Sequence, residues 1–268
     1  MSMKSWQLWA IAAVITLASA VYQRLTGPTW PLRGSVQLEG AEVRFRLPRS
    51  HAGNSDAEVR LNVPAKTITG LAEFRRYKSN DLWMRQPMTR EGDDLVLRLP
   101  LQPKAGKVMY RIRLAGTDGR TAELTPEPVV IRFRGEVPAP VMIPHILAMF
   151  LGMLFSNMAA LESLAAGQRL RRLAAWTLTC ISIGGLILGP VVQKYAFDSY
   201  WTGWPLGQDL TDNKTAVIAL AWALALWRIR KSPPARAWVL TAAAITMTVY
   251  LIPHSVLGSE LDYTAAPK

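Results

Sequence analysis

The stretch Ile143–Leu164 reads IPHILAMFLGMLFSNMAALESL, and it decides the fold class expected for this chain. A bilayer core about 30 Å thick needs roughly 20 apolar residues of helix, and this stretch supplies them with no charged residue near its middle. A charge at the centre of a membrane helix would cost at least about 2.5 kcal/mol. The stretch therefore predicts a transmembrane helix.

Four further apolar stretches predict membrane-spanning helices as well. Their approximate limits are residues 6–22, 173–192, 215–227 and 237–252. The expected helical part comprises five transmembrane helices, with an anchor at residues 1–24 and a four-helix bundle at residues 141–256. Lys4 and the small residues Ala18-Ser19-Ala20 also fit a signal peptide, but the length of the apolar run favours a retained anchor.

Positive charges beside the apolar stretches predict the orientation. Two short connecting loops are rich in Lys and Arg, at Arg169, Arg171, Arg172, Arg228, Arg230, Lys231 and Arg236. Short loops with such an excess lie in the cytoplasm. The sequence therefore predicts a bacterial inner-membrane protein, in contact with the lipid bilayer, whose N-terminus is cytoplasmic. Residues 23–142, the loop at residues 193–214 and the C-terminal tail at residues 257–268 are expected on the periplasmic side.

Residues 34–135 have a different composition from the apolar stretches. They carry 18 Lys or Arg and 12 Asp or Glu, whereas residues 137–268 carry 10 and 6. Apolar residues alternate with polar ones, as at Val59, Leu61 and Val63, and turn signals recur every 8–12 residues. This period of two predicts an antiparallel sandwich of about seven strands. The net charge of +12 does not indicate nucleic-acid binding, because the basic module is expected outside the cytoplasm.

Several motifs inside this module carry a family resemblance. They are Asp81-Leu82-Trp83-Met84, Leu95–Pro100, Pro103-Lys104-Ala105-Gly106, Val108–Ile112 and Gly116-Thr117-Asp118-Gly119. Over about 40 residues the chain resembles the middle of a bacterial fibronectin type III or immunoglobulin-like domain. The resemblance implies a sandwich fold and a tendency to bind proteins or glycans, and it implies no catalytic residues. The expected fold is a membrane α-helical bundle of five transmembrane helices with an inserted all-β immunoglobulin-like sandwich.

Sulfur and imidazole side chains form the first candidate site. One helix face carries Met142, His145, Met149 and Met153, and another carries Met247 and His254. Thioether and imidazole ligands suit Cu(I), and two His at similar depth could hold the iron of haem b. The alternative is that these residues pack the helices, since Met commonly fills gaps in apolar interiors.

The loop at residues 193–214 is the second candidate site. It combines five aromatic residues within ten positions with Gly, Pro and Asp, and its expected partner contacts are Tyr200, Trp201, Trp204, Asp209 and Asp212. Aromatic residues concentrate at membrane interfaces, and the Gly and Pro residues indicate a compact, irregular path. Thr211 or Asp212 could instead cap the following helix.

A basic cluster, Arg75-Arg76-Tyr77-Lys78, completes the candidates. It could bind an acidic partner or anionic lipid, and the alternative is a solvated strand face. The chain has no phosphate-binding loop, dinucleotide-binding glycine motif, nucleophile elbow or zinc-protease helix. The sequence thus predicts a non-catalytic accessory or scaffold subunit that docks a periplasmic or membrane-protein partner. The alternative is a haem or copper protein that uses His145 and His254.

Overall fold

The computed structural model describes residues 4–207, 210–253, 258 and 260–264. These residues divide into two compact units. The helical unit contains residues 4–28 and the described residues from 137 to 258. The β unit contains residues 29–136 together with residues 260–264, so the end of the described chain belongs to the β unit.

Five helices form the described part of the helical unit. They are α1 (Ser5–Thr26), α2 (Ala139–Leu164), α3 (Leu170–Phe197), α4 (Leu210–Lys231) and α5 (Arg236–Leu251). Within α3, the segment Ser182–Leu188 is π-helical. Gly184 lies in this segment against α2, where a Cβ would come within 2.9 Å of the Ala148 side chain. A glycine here therefore lets the two helices approach closely.

The interior of the helical unit joins apolar packing to a few paired polar groups. Trp222 is fully buried, and its indole N–H donates to the Thr246 hydroxyl at 2.8 Å. The Asn157 amide donates to the Thr16 hydroxyl of α1 at 3.0 Å. Each pair links two helices. Separating the helices would leave a buried polar group without a hydrogen-bond partner, which costs free energy.

Among the residues that the structure describes, three helices, α1, α2 and α3, are long and apolar enough to cross a membrane, which is compatible with a membrane protein. Their outer faces carry exposed apolar side chains, such as Val14, Leu147 and Ile187. The prediction of five transmembrane helices is wrong. Helix α5 has 16 residues, which span only about 24 Å, and α4 has lower hydropathy because its ends carry Asp212, Lys214, Arg228, Arg230 and Lys231.

The β unit contains eleven strands within the described residues. They are β1 (Leu32–Leu38), β2 (Ala41–Leu47), β3 (Ser50–Ala52), β4 (Ala57–Asn62), β5 (Thr69–Arg76), β6 (Met84–Pro87), β7 (Thr89–Glu91), β8 (Asp94–Leu99), β9 (Lys107–Ala115), β10 (Thr121–Glu123) and β11 (Val129–Arg134). Strands β1 and β2 form a hairpin, and β4-β8-β7 form a second sheet. The third sheet has the order β3-β11-β9-β5-β6, with β10 also paired to β9.

One apolar core lies among these sheets. It includes Leu61, Ile68, Leu97, Tyr110 and Phe133, all almost fully buried. The expected seven-strand immunoglobulin-like sandwich is corrected to eleven strands in three sheets, and the whole fold is mixed α and β. The short strands β3, β7 and β10 have three residues each, too few for alternation to reveal them.

Candidate functional site

The loop between α3 and α4 is held by side chains from the start of α4. The Asp212 carboxylate accepts hydrogen bonds from the Thr202 N–H at 2.7 Å and the Gly203 N–H at 3.0 Å. The Asn213 side-chain oxygen accepts from the Trp204 N–H at 2.7 Å. Gln193 near the end of α3 donates to the Thr202 hydroxyl at 2.6 Å. Three consecutive backbone N–H groups of the loop are therefore bound by the start of α4, and the Thr202 hydroxyl is bound by α3.

Gly203 is required by this arrangement. A Cβ at this position would lie 2.7 Å from both Asn213 Oδ1 and Asp212 Cβ. The absence of a side chain lets the loop backbone approach the first turn of α4, and that approach makes the hydrogen bonds from the Asp212 and Asn213 side chains possible.

The fixed backbone presents large apolar side chains outward. Trp204 and Leu206 are each 78% exposed and Tyr200 is 60% exposed. The Trp201 indole N–H donates to the Trp204 carbonyl at 3.2 Å, and this hydrogen bond stabilises the turn. We call Tyr200, Trp201, Trp204 and Leu206 the aromatic platform. Because its backbone is already ordered, a partner that binds the platform pays little conformational entropy for the loop.

The structure gives the predicted contact residues different positions. Tyr200 and Trp204 are exposed, whereas Asp212 is 8% exposed and its carboxylate holds the loop. Asp209 lies outside the described residues. Lys214 contacts the end of α5, where its ammonium donates to the Ile252 carbonyl at 3.4 Å. The polar run at the start of α4 thus has structural partners within the helical unit.

His145 in α2 contacts the π-helical segment of α3. Its Nδ1 lies 2.8 Å from the Gly184 carbonyl oxygen. A carbonyl can only accept, so Nδ1 carries the proton and Nε2 is left with a lone pair when the ring is neutral. Met149, one turn further along α2, also lies at this contact, since a Cβ on Gly184 would come 3.0 Å from its sulfur.

The other predicted ligands do not join this contact in the described residues. Met153 is buried, and the Met247 sulfur accepts a hydrogen bond from the Ser19 hydroxyl of α1 at 3.5 Å. Met142 is partly buried near the start of α2. His254 lies outside the described residues. Within residues 4–207, 210–253, 258 and 260–264, no group of three His, Cys, Asp or Glu side chains is placed to hold a metal ion.

The outer face of the third sheet carries a cluster of arginines around Glu73 and Trp83, of which Arg75 belongs to the predicted basic cluster and Arg85 and Arg111 do not. The Glu73 carboxylate pairs with Arg85 of β6 at 2.6 Å and also with Arg111 of β9. Burial raises the pKa of Glu73, but the two arginines outweigh that effect and hold the pKa below its usual range. The guanidinium groups of Arg75 and Arg111 lie 5.0 and 4.9 Å from the Trp83 ring centroid. The strand register places Glu73 opposite Arg85 and opposite Arg111. The sequence does not give this register, so the pairing could not be predicted from it.

The predicted basic cluster at the end of β5 has carboxylates as partners. Arg76 binds the Asp81 carboxylate at 2.6 and 2.8 Å and lowers the pKa of Asp81 to about 2. Lys78 pairs with Glu260, which lies in the C-terminal segment of residues 260–264. The opposite charges of Lys78 and Glu260 are visible in the sequence. The pattern of neighbouring residues does not show that these two segments are in contact.

No protein-family model and no curated protein matches this chain.

Proposed function

We propose that the chain is a non-catalytic, membrane-anchored accessory or scaffold subunit. It docks an extracytoplasmic or membrane-protein partner through the β unit and the aromatic platform. The observation that carries the proposal is the construction of the platform. Its backbone is fixed by Asp212 and Asn213, while Trp204 and Leu206 remain exposed.

The exposed residue types fit a docking role. Trp and Tyr dominate the binding energy of protein interfaces, because they bury a large area and lose little side-chain entropy. Pre-ordered loops also lower the entropic cost of binding. Within the described residues, the polar clusters that we find serve to hold loops and strands, as Asp212 and Glu73 do.

We propose that the protein lies in a bacterial inner membrane with the N-terminus in the cytoplasm and the β unit in the periplasm. The Arg-rich connection between α2 and α3, with Arg171 and Arg172 exposed, supports a cytoplasmic position for that loop. The contact of residues 260–264 with the β unit supports a common side for the C-terminal segment and the β unit.

Pull-down from native membranes tests the docking function. The chain is purified in mild detergent after cross-linking, as wild type, as Trp204→Ala and as the control Trp227→Ala. Trp227 is a 48% exposed tryptophan near the other end of α4. We expect a co-purifying chain with wild type and with Trp227→Ala, and a loss of about 30-fold with Trp204→Ala, because interface tryptophans carry about 2 kcal/mol or more. Equal recovery for both variants, or a lone chain in every sample, would contradict the proposal.

Cysteine labelling tests the orientation. In a Cys180→Ala background, Arg120→Cys places a thiol on the β unit and Arg171→Cys places one in the loop between α2 and α3. Both arginines are exposed. A membrane-impermeant maleimide should label position 120 in intact spheroplasts and position 171 only after lysis. The opposite pattern would overturn the orientation.

A second candidate function, metal or haem binding, is favoured by one observation. A ligating histidine commonly donates its other ring N–H to a backbone carbonyl, as His145 does to Gly184. The Nε2 atom of His145 is then the ligating atom. Visible absorption and metal analysis of the purified chain test this candidate, with His145→Ala as the variant. If the wild-type chain shows no Soret band and contains no stoichiometric copper, this candidate function is rejected.

A further inference from the structure

The described C-terminal segment, residues 260–264, occupies a cationic site on the β unit. The site lies where the end of β5 meets the start of β9. It presents Lys78 and Lys107, whose ammonium groups lie 5.4 and 5.5 Å from the centroid of the Tyr77 ring. Two ammonium groups facing one aromatic ring form a natural receptor for a single carboxylate.

Glu260 supplies that carboxylate. One oxygen pairs with Lys78, and the other lies 2.5 Å from the Lys107 ammonium. Burial raises the pKa of Glu260, but hydrogen bonds from the two lysines outweigh that effect and hold the pKa below its ordinary value of 4.5. Glu260 is therefore ionised in the site at neutral pH.

Tyr263 supplies the second recognition element. The Lys107 backbone N–H donates to the Tyr263 hydroxyl at 3.1 Å, and that hydroxyl donates to Gln102 Oε1 at 3.2 Å. The Arg76 guanidinium lies 4.9 Å from the ring centroid. A Cβ at Gly106 would lie 2.6 Å from the Tyr263 oxygen, so the glycine makes room for the ring.

A backbone contact completes the site, since the Leu261 N–H donates to the Ala105 carbonyl at 3.4 Å. The β unit thus recognises a carboxylate, one main-chain N–H and a tyrosine hydroxyl in fixed order. The carboxylate and the tyrosine are three residues apart in the ligand segment.

We propose that the β unit carries an exchangeable peptide site that recognises Glu followed three residues later by Tyr. Residues 260–264 are its intramolecular occupant, and an acidic segment of a partner protein with the same spacing displaces them. This proposal depends on the proposed docking function in one respect, namely that the displacing segment belongs to a partner protein.

The physical reason for exchange is the exposure of the ion pair between Lys78 and Glu260. Their side chains are 62% and 33% exposed, and exposed ion pairs are individually weak, whereas the Lys107 side chain is 17% exposed. The tethered segment holds the site mainly through its effective concentration, which is of the order of millimolar for short tethers in general. A partner peptide with additional contacts then competes successfully.

Peptide titration in detergent tests the proposal on a chain that retains the helical unit and residues 29–136 of the β unit. The receptor is the chain ended after residue 257, and the probe is a fluorescent synthetic peptide of residues 258–264. We expect saturable binding with a dissociation constant below about 10 mM. A segment at a millimolar effective concentration fills its site only if the dissociation constant is not much larger than that concentration. The intact chain should bind the probe at least tenfold more weakly, because its own segment competes.

Variants of the peptide serve as controls that leave the receptor unchanged. Glu260→Gln and Tyr263→Phe peptides should each bind at least fivefold more weakly than the wild-type peptide. Thr264→Ala removes a hydroxyl that is bound to Asp262 inside the segment, and this peptide should bind within twofold. No saturation by 10 mM, or equal binding of all four peptides, would overturn the peptide site and leave the docking function standing. Saturable peptide binding with no co-purifying partner would instead refute the docking function alone.

Discussion

Replacing Asp212 by Ala should release the aromatic platform without unfolding the helices. The substitution removes the acceptor for the Thr202 and Gly203 N–H groups, which bind the carboxylate at 2.7 and 3.0 Å. A hydrogen bond to a charged group contributes about 1.5–3 kcal/mol, and a buried N–H without a partner costs about 1–3 kcal/mol. For the two bonds together we expect a loss of local stability of roughly 2–5 kcal/mol.

Hydrogen–deuterium exchange measures this loss directly. Every 1.4 kcal/mol is tenfold in an equilibrium constant, so the amides of residues 202–204 should exchange about 30- to 3,000-fold faster in Asp212→Ala. Asp212→Asn retains a neutral acceptor and should give a smaller increase, about tenfold. Exchange within α2 should remain unchanged in both variants.

Asp198→Ala is the matched control. Asp198 also lies in the connection between α3 and α4, but its carboxylate is exposed and pairs with Lys194 at 2.9 Å. We expect no measurable change of exchange at residues 202–204. If Asp212→Ala and Asp198→Ala gave the same exchange rates there, the claim that Asp212 holds the platform would be refuted.

Three other predictions concern Gly203, Trp222 and Glu73. Gly203→Ala should raise amide exchange in the loop as Asp212→Ala does, whereas Gly189→Ala, whose Cβ meets nothing closer than 3.6 Å, should not. Trp222→Phe should lower the free energy of unfolding by about 1–3 kcal/mol in denaturant titration, since it removes a fully buried hydrogen bond. Glu73 has a lowered pKa, so its contribution to stability is present above pH 4.5 and is lost as the pH falls through the lower folded value. Thermal unfolding of Glu73→Gln should therefore depend less on pH below 4.5 than that of wild type.

Local patterns predicted the positions of many elements. The apolar run at residues 173–192 lies inside α3, and the alternation at Val59 and Leu61 lies in β4. Hydropathy and period are properties of neighbouring residues, so they can be read before any tertiary contact is known. The same method failed at α5, because the apolar run at residues 237–252 is real but too short by about one turn for a membrane of ordinary thickness.

Contacts between distant segments could not be predicted in this way. Glu73 lies at an outward position of β5, and its burial follows from arginines on two neighbouring strands. Glu260 and Lys78 have complementary charge but are separated by 182 positions in the chain. Many acidic and basic residues would satisfy the same charge rule, so composition alone does not select the pair.

The polar run at the start of α4 connects the structure of the neighbouring loop with the hydropathy of the helix. Asp212 binds the loop at residues 202–203, Asn213 binds the next N–H, and Lys214 binds the carbonyl of Ile252. The polarity that separates α4 from the three more apolar helices is therefore used in contacts inside the helical unit. Replacing these residues by apolar ones would raise the hydropathy of α4 and free the platform at the same time. Asp212 and Asn213 hold the aromatic platform in place, so these contacts account for part of the low hydropathy of this helix.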